Sequence, residues 1–539
     1  MTDRQTKKPE DVHETFDAVV VGAGFGGLYM LHRLRNLGLS ARVYEAGSEV
    51  GGTWYWNRYP GARCDVESLE YSYGFSEEIE QEWEWSERYA AQPEIVAYLN
   101  HVADRFDLRG DIQLDTRVEA ATFNKETNDW TIRTDKGTAR APFCIMATGC
   151  LSSTNTPNFK GKDSFAGATY HTGKWPHENV DFTGKRVGII GTGSSGIQSV
   201  PVIAEQAAHL YVFQRTPNFS VPARNMPMDP EFQRRIKADY RGFRENLRDL
   251  PIACMRPPGE ESALEATPQE RQAAYEEAWQ RGGLSFLGTY SDLITNKQAN
   301  DTAAEFVRAK IHEIVDDPLV ADMLSPDHVI GCKRPCSDSG YYEAFNRSNV
   351  TLIDLTRTPL DAITPAGIKT TSAEYDLDCI VFATGFDAMT GSLNRIDIRG
   401  RDGQQLKEKW APGPATYLGL QTVGFPNLFT ITGPGSPSVL ANMVTGVEQH
   451  AEWISDCIAY IREHGYERIE PTAEAEQAWV IHVNEVADTT LYPTCNSWYM
   501  GANIPGKSRV FLPYIGGFPT YERKCKEVVA NDYEGFAFS

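Results

Sequence analysis

The sequence predicts an α/β protein with two Rossmann-like dinucleotide-binding domains and a helical insertion. Two short apolar runs each lead into a glycine motif of the form GxGxxG and then into a helical stretch. This order is typical of a βαβ unit that binds a dinucleotide. The 539 residues suffice for about three structural units. The predicted elements are strand 16–21, helix 28–37, strand 41–44, strand 143–146, strand 185–190, helix 197–207, strand 209–213 and strand 377–382.

The first unit carries the glycines Gly22, Gly24 and Gly27. The first glycine makes a tight turn, the second lets the backbone approach a pyrophosphate, and the third permits close packing of the helix. Glu45 ends the following strand, where its carboxylate can accept hydrogen bonds from ribose hydroxyls. The unit therefore predicts a dinucleotide site.

The second unit repeats the glycine motif at residues 191–196. At the position that corresponds to Glu45 it has the neutral Gln214, and Arg215 and Thr216 follow. A carboxylate here would repel a 2′-phosphate, whereas a guanidinium and a hydroxyl bind one. This unit therefore predicts NADP(H) rather than NAD(H).

Two dinucleotide sites of different specificity in one chain favour a flavoprotein. The adenosine ribose of FAD has a free 2′-hydroxyl for Glu45, and hydride would pass from NADPH to the flavin. Disulfide reductases have the same pair of domains but need a redox-active cysteine pair close behind the first site. Only Cys64 lies there, so that class is largely excluded.

Residues 223–330 differ in amino-acid pattern from the rest of the chain. They are rich in charge and in helix-start signals, with Asp229 before a proline and Thr-x-x-Glu capping boxes at 267–270 and 302–305. We interpret the region as a helical insertion, the alternative being a solvated helical surface. The predicted domains are the FAD-binding domain at 1–150 and 387–539, the NADP-binding domain at 151–222 and 331–386, and the insertion at 223–330.

Composition excludes several functions. The formal charge of −21 disfavours binding to nucleic acid or anionic lipid, and no apolar stretch is long enough to span a membrane. The polar start is unlike a signal peptide, so we expect a soluble cytoplasmic protein. The ten cysteines include no CxxC pair, which predicts reduced thiols. No metal site is expected, including at Cys332 and Cys336, and the sequence does not indicate an oligomeric state.

Two segments carry a resemblance to a known family. Residues 165–176 read FAGATYHTGKWP, which resembles the FxGxxxHxxxWP signature of type I Baeyer–Villiger monooxygenases. Residues 51–65, GGTWYWNRYPGARCD, resemble that family's second signature. The N- and S-oxygenating flavin monooxygenases lack the final Trp-Pro, so Trp175 and Pro176 discriminate. The likeness covers almost the whole chain and is strongest to the phenylacetone and steroid monooxygenase branch.

The resemblance implies an activity and residue roles. NADPH would reduce FAD, O2 would form a C4a-peroxyflavin, and one oxygen would be inserted beside the carbonyl of a hydrophobic ketone to give an ester or lactone. Sulfoxidation is also implied. Arg334 would stabilise the peroxide and the oxyanion of the adduct, and Asp65 would contact and tune that arginine. Lys333 would meet the 2′-phosphate and Trp498 would hold the nicotinamide half. The predicted cofactor-binding residues are Gly22, Gly24, Phe25, Gly27, Glu45, Thr53, Trp54, Trp56, Asp65, Tyr71, Val118, Met443, Thr192, Gly193, Ser194, Ser195, Gly196, Gln198, Arg215, Thr216, Lys333, Arg334 and Trp498.

Two alternatives stay open at this point. One is a flavin monooxygenase that oxidises an amine or a sulfide, and the other is a non-catalytic flavin-binding or redox-sensing module. His171 is interpreted as a hinge or backbone anchor rather than a general base. Tyr55 and Trp56 fit a core plug and a cofactor site equally well, and residues 433–443 are expected to form a wall of the substrate pocket.

Overall fold

The computed structural model describes residues 13–254 and 257–539. The polar start of the chain, residues 1–12, lies outside this range. The strands are β1 (His13–Thr15), β2 (Ala18–Val21), β3 (Ala41–Tyr44), β4 (Ile112–Gln113), β5 (Val118–Asn124), β6 (Asp129–Thr134), β7 (Thr138–Ala141), β8 (Phe143–Met146), β9 (Ala168–His171), β10 (Arg186–Ile190), β11 (His209–Gln214), β12 (Ser220–Pro222), β13 (Cys336–Asp338), β14 (Val350–Asp354), β15 (Leu360–Thr364), β16 (Gly367–Thr370), β17 (Glu374–Asp376), β18 (Cys379–Phe382), β19 (Asp397–Arg399), β20 (Leu428–Thr430), β21 (Ile469–Pro471) and β22 (Phe536–Phe538). The helices are α1 (Phe25–Asn36), α2 (Thr53–Trp56), α3 (Glu77–Glu82), α4 (Gln92–Arg105), α5 (Ser194–Gln206), α6 (Pro230–Ala238), α7 (Tyr240–Arg248), α8 (Pro268–Arg281), α9 (Lys297–Ile314), α10 (Pro318–Leu324), α11 (Gly391–Asn394), α12 (Leu406–Lys409), α13 (Met443–Glu463), α14 (Ala473–Asp488) and α15 (Phe518–Ala530).

Two parallel sheets form the framework. The first has the strand order β20-β8-β2-β3-β4 and the second has the order β14-β11-β10-β18-β9. In the first sheet the inner strands β2 and β8 are buried at every position, and in the second sheet the central strand β10 is buried at every position after Arg186, as strands covered on both faces should be. Helix α1 crosses from β2 to β3 and packs against α13, and α5 crosses from β10 to β11. The predicted α/β class with two Rossmann-like units is confirmed, while the domain boundaries remain a prediction.

Smaller sheets complete the framework. Strands β5, β6 and β7 form an antiparallel meander that is extended by β1 and β19, and β15–β17 form a second meander. The short strand β20 comes from residues 428–430 and closes one edge of the first sheet. The C-terminal part of the chain therefore returns to complete the sheet that the N-terminal part begins.

The insertion contains helices α6 to α10. The cap at Asp229 and the capping box of Thr267 and Glu270 are both present at the predicted helix starts. The predicted box at Thr302 is wrong, because Thr302 lies inside α9 and its hydroxyl donates to the carbonyl of Ala299. Asn296 caps that helix instead, through its side-chain oxygen. No helix within the described ranges is long and apolar enough to cross a membrane.

Candidate active site

A cavity of about 1010 Å³ opens where the parallel strands of the first sheet end. Residues from both glycine motifs and from the C-terminal part of the chain line it. These segments are far apart in the sequence and meet only in the folded protein. The predicted cofactor-binding residues that line it are Gly22, Gly24, Phe25, Glu45, Thr53, Trp54, Trp56, Asp65, Tyr71, Val118, Ser194, Gln198, Arg334, Met443 and Trp498. Those outside its lining are Gly27, Thr192, Gly193, Ser195, Gly196, Arg215, Thr216 and Lys333.

The first glycine motif is crowded in a way that only glycine permits. Gly22 has φ +104°, and a Cβ atom there would lie 2.6 Å from the carbonyl oxygen of Ala147. A Cβ atom on Gly27 would lie 1.8 Å from the carbonyl oxygen of Gly22. Gly24 precedes α1 and offers no side-chain cap, so the first N–H groups of the helix are open to an anion at the cavity.

Glu45 fixes the turn around this helix start. Its side chain is 5% exposed, and its two carboxylate oxygens accept hydrogen bonds from the backbone N–H groups of Ala23 (2.8 Å) and Gly47 (2.7 Å). A carboxylate has about four lone-pair positions, so each oxygen can still accept a hydroxyl. Glu45 therefore shapes the loop and faces the cavity at the same time.

Aromatic side chains build the next wall of the cavity. The indole N–H of Trp54 donates to the hydroxyl of Tyr71 at 3.1 Å, and the ring of Phe25 meets that of Tyr71 edge-on at 5.3 Å. Trp56 lines the cavity, whereas Tyr55 is 5% exposed and belongs to the core. Tyr55 therefore fits the core plug, while the assignment of Trp56 to a cofactor site stays a prediction.

The second glycine motif repeats the turn at the second sheet. A Cβ atom on Gly191 would lie 2.4 Å from the carbonyl oxygen of Ala383, and one on Gly196 would lie 2.2 Å from that of Gly191. Gly193 differs, because a Cβ atom there would meet no heavy atom within 4 Å. The start of α5 also lacks a side-chain cap. The helix N-terminus is therefore open on the side of Gly193.

Cationic side chains lie close to this second motif. Burial, followed by the charge of Arg215, lowers the pKa of Lys333, which shows that the two cations share one environment. Within the described ranges, no carboxylate oxygen lies within 4 Å of either cation. Gln214 is 2% exposed, and its Oε1 atom is buried without a hydrogen-bond partner among the described residues. Thr216 is tied to the motif through its carbonyl, which accepts from the hydroxyl of Thr192 at 3.0 Å.

Arg334 and Asp65 form a two-point ion pair at the cavity. The Nε atom of Arg334 donates to Oδ2 of Asp65 at 2.7 Å, and Nη2 donates to Oδ1 at 2.8 Å. Nη1 donates to the carbonyl of Val439 at 2.9 Å. Burial alone would lower the pKa of Arg334, but the charge and hydrogen bonds of Asp65 outweigh it and raise that pKa well above its ordinary value. The guanidinium is therefore held charged and in one orientation.

A second cavity, of about 730 Å³, meets the first at Arg334. Its lining is mainly apolar and comes from the insertion and from the C-terminal region. Leu440 lies in this wall, as expected for residues 433–443, and Val439 lies in the wall of the first cavity. The apolar residues of the second cavity include Ile252, Leu284, Leu287, Leu293, Ile294, Leu440 and Ile515.

Several site residues were not predicted from the sequence. Arg117 and Arg395 line the first cavity, and Tyr499 lines the second and lies against Arg334. Tyr59 also lines the first cavity, and its hydroxyl donates to the Oε1 atom of the predicted residue Gln198 at 2.8 Å. Tyr499 directly follows the predicted site residue Trp498, and this position in the sequence was the one signal that could have indicated Tyr499.

The prediction of reduced thiols is wrong for one pair. Cys332 and Cys495 form a disulfide across a sequence separation of 163 residues, and the other eight cysteines are free and buried. The pairing was not visible in the sequence because the two positions lie in distant segments. No cluster of three or more metal-ligating side chains occurs in the described part of the chain.

His171 acts as a backbone anchor. Its Nδ1 atom accepts from the N–H of Gly173 at 3.0 Å, and its Nε2 atom lies 3.3 Å from the carbonyl oxygen of Asn155. Burial lowers its pKa, so the ring is neutral near pH 7. These contacts match the interpretation of His171 as a backbone anchor.

The fold and site define an oxidoreductase with two dinucleotide sites. A family model described as pyridine nucleotide-disulphide oxidoreductase matches residues 19–248, which include both glycine motifs. A Baeyer–Villiger monooxygenase from Pseudooceanicola batsensis is 45% identical over 98% of this chain and 97% of its own. A structure of oxidised steroid monooxygenase bound to NADP is 55% identical, with a TM-score of 0.93 over 97% of this chain and 99% of that chain. A structure of OTEMO in complex with FAD and NADP is 42% identical, with a TM-score of 0.94 over 98% and 100% of the two chains.

The chain belongs to the Baeyer–Villiger monooxygenases. The family predicted from the two signatures is therefore confirmed, as is the class of flavin- and NADP-dependent monooxygenase.

Proposed function

We propose that this protein uses NADPH and O2 to insert one oxygen atom beside the carbonyl of a bulky hydrophobic ketone, giving an ester or a lactone. The observation that carries the proposal is the position of Arg334, a fixed cation at the junction of a dinucleotide-sized cavity and an apolar cavity. Bound FAD supplies electron transfer from NADPH and the activation of O2. The protein supplies binding, orientation and charge.

FAD fits the first cavity. The open N-terminus of α1 would hold the pyrophosphate, and Glu45 would accept the ribose hydroxyls. Trp54 and Tyr71 are fixed to each other by a hydrogen bond, so they would hold a flat ring system without further ordering. Met443 begins α13 on the same cavity wall.

NADPH fits the second motif. Arg215 and Lys333 lack a carboxylate partner in the described ranges, so they are available for a 2′-phosphate. The open side of Gly193 would receive the pyrophosphate at the start of α5. Trp498 and Gln198, which line the first cavity, would hold the nicotinamide half close to the flavin.

Arg334 would stabilise negative charge on oxygen. A guanidinium has five N–H groups, and the bonds to Asp65 and Val439 use three of them. The hydroxyl of Tyr499 also accepts from the guanidinium, so at least one N–H group is left to donate to a negatively charged oxygen of the reaction. Because the pKa of Arg334 is raised, the group would stabilise the anion without giving up its proton.

The apolar cavity would hold the ketone. Its volume of about 730 Å³ suits a ligand of several fused or linked rings better than a small cyclic ketone. Leu284, Leu287 and Ile294 would exclude water from the carbonyl. The same site could oxidise sulfides, since sulfur would approach the same oxygen.

A size series of ketones tests this proposal. Purified FAD-loaded enzyme would be given NADPH and single-ring to four-ring ketones, and products would be identified by mass spectrometry. We expect the larger ketones to give esters or lactones with the higher kcat/KM. Replacing Leu287 with Trp should reduce turnover of the large ketones selectively, whereas replacing the half-exposed Ile481 with Ala should not. If no ketone gave an ester while a sulfide or amine was oxygenated, the rival activity would replace this one.

A further inference from the structure

The Cys332–Cys495 disulfide lies between the residues that would handle the nicotinamide cofactor. Cys332 immediately precedes Lys333 and Arg334, and Cys495 lies three residues before Trp498. Arg334 lines both cavities and Trp498 lines the first. The bond therefore ties together two walls of one site that are 163 residues apart in sequence.

Cys495 lies in the loop of residues 489–517 between α14 and α15, called here the C-terminal loop. The loop is anchored at either side of its central part. The N–H of Leu491 donates to the carbonyl of Ile294 at 2.9 Å. Further along, Asn503 donates to the carbonyl of Phe386 at 2.7 Å. These anchors leave the stretch between them to be positioned by other contacts.

That central stretch, residues 494–500, has its backbone bonds within the loop. The N–H groups of Cys495, Ser497 and Met500 donate to carbonyls of the same loop, at 3.2, 3.0 and 3.1 Å. Its attachments to the rest of the described chain are the disulfide, the side-chain contact of Tyr499 with Arg334, and apolar packing. The disulfide is the one covalent attachment among these.

We propose that Cys332 and Cys495 are positioning residues for the oxygenation site, an inference that rests on the proposed function. The bond holds Trp498 and Tyr499 against the segment of Lys333 and Arg334. Its reduction frees the central stretch of the loop, so the cofactor must order that stretch when it binds. NADP+ is then retained less well, and more NADPH is consumed without oxygen insertion into the ketone.

Reduction of the bond is chemically balanced with an added dithiol. Dithiothreitol transfers two electrons and two protons, the bond between the two sulfur atoms breaks, and Cys332 and Cys495 become thiols. The reductant closes its own ring disulfide. The eight free cysteines do not change in this step.

The test compares oxidised and reduced FAD-loaded enzyme. Thiol titration of the denatured protein should rise from eight to ten thiols on reduction. Calorimetric titration with NADP+ should show a Kd about tenfold higher for the reduced enzyme, because an unordered loop must be ordered on binding. The fraction of consumed NADPH that appears as ester should fall in parallel.

Variants separate positioning from a merely structural role. The double variant Cys332→Ser, Cys495→Ser should reproduce the reduced state and should no longer respond to dithiothreitol. Cys379→Ala removes a free buried thiol on β18 and should leave the response intact. Ten thiols in the untreated protein would overturn the inference. A lower Tm of the double variant, with an unchanged Kd for NADP+ and an unchanged fraction of NADPH that appears as ester, would also overturn it. If NADP+ affinity changes as expected but no ketone is oxygenated in either state, the proposed function fails, and only the part of the inference that concerns NADP+ binding stands.

Discussion

Replacement of Arg334 by Ala should separate flavin reduction from oxygen insertion. In the structure the bonds to Asp65 and Val439 use three of the five N–H groups of the guanidinium, Tyr499 lies against it, and Arg334 lines both cavities where they meet. Loss of a single donor of this kind lowers kcat by about 10²- to 10³-fold. Ester formation should therefore fall at least ~100-fold, while anaerobic reduction of FAD by NADPH should persist. Arg334→Lys should recover little, since one ammonium cannot bind Asp65 at two points and also reach the oxygen.

Stopped-flow spectroscopy and product analysis would measure the two half-reactions separately. Arg241→Ala is the control for loss of an arginine, because Arg241 is 91% exposed and, among the residues that the structure describes, its ion pair is with Glu245 on α7. An Arg334→Ala enzyme that reduces FAD normally and gives the wild-type ester yield would refute the role assigned to the guanidinium. A variant that fails to bind FAD would be seen from its absorption spectrum before either assay.

Three further predictions concern the cofactor sites and stability. Lys333→Ala or Arg215→Ala should raise the Kd for NADPH about 10- to 100-fold, because a hydrogen bond to a charged group contributes ~1.5–3 kcal/mol. The Kd for NADH should stay nearly unchanged. Equal losses of affinity for both cofactors in a calorimetric titration would argue against a contact with the 2′-phosphate. Gly193→Ala should keep the wild-type Tm, because the added Cβ atom meets no heavy atom within 4 Å. The variant should bind NADP+ more weakly, because the methyl group would occupy the space of the pyrophosphate. Unchanged binding would show that no phosphate approaches Gly193. Burial raises the pKa of Glu448 from 4.5 to about 7, so its contribution to stability is fully present below pH 4.5 and is lost as the pH rises to about 7. Denaturant unfolding at several pH values should show a smaller loss over this range for Glu448→Gln than for the wild type, and identical slopes would contradict the assignment.

The framework of the fold could be predicted because its signals are local. Strands 41–44 and 143–146 have the predicted bounds, and α1 begins at Phe25, three residues before the predicted start, because the helix already includes the end of the glycine motif. The capping box predicted at Thr302 is wrong because a helix start depends on the residues before the pattern as well as on the pattern itself. A Thr-x-x-Glu pattern marks a helix start only when no better cap lies upstream, and Asn296 is such a cap.

Site residues could be predicted where they belong to a sequence motif. They could not be predicted where the site forms by contact between segments distant in the sequence. The glycine turns, Glu45 and the Arg334–Asp65 pair could be inferred from residue patterns and the family signatures. The Cys332–Cys495 bond and the contact of Tyr499 with Arg334 depend on how the C-terminal loop packs, which no local pattern records. The two cavities likewise exist only once the insertion and the C-terminal region are in place.

In the proposed function, one atom of O2 enters a ketone at the site beside Arg334. The most direct test is turnover of a bulky hydrophobic ketone with NADPH under ¹⁸O2, followed by mass spectrometry of the product. We expect an ester or lactone that carries a single ¹⁸O atom, formed in proportion to the NADPH consumed. Unlabelled product, or NADPH oxidation that yields only hydrogen peroxide with every ketone, would contradict it.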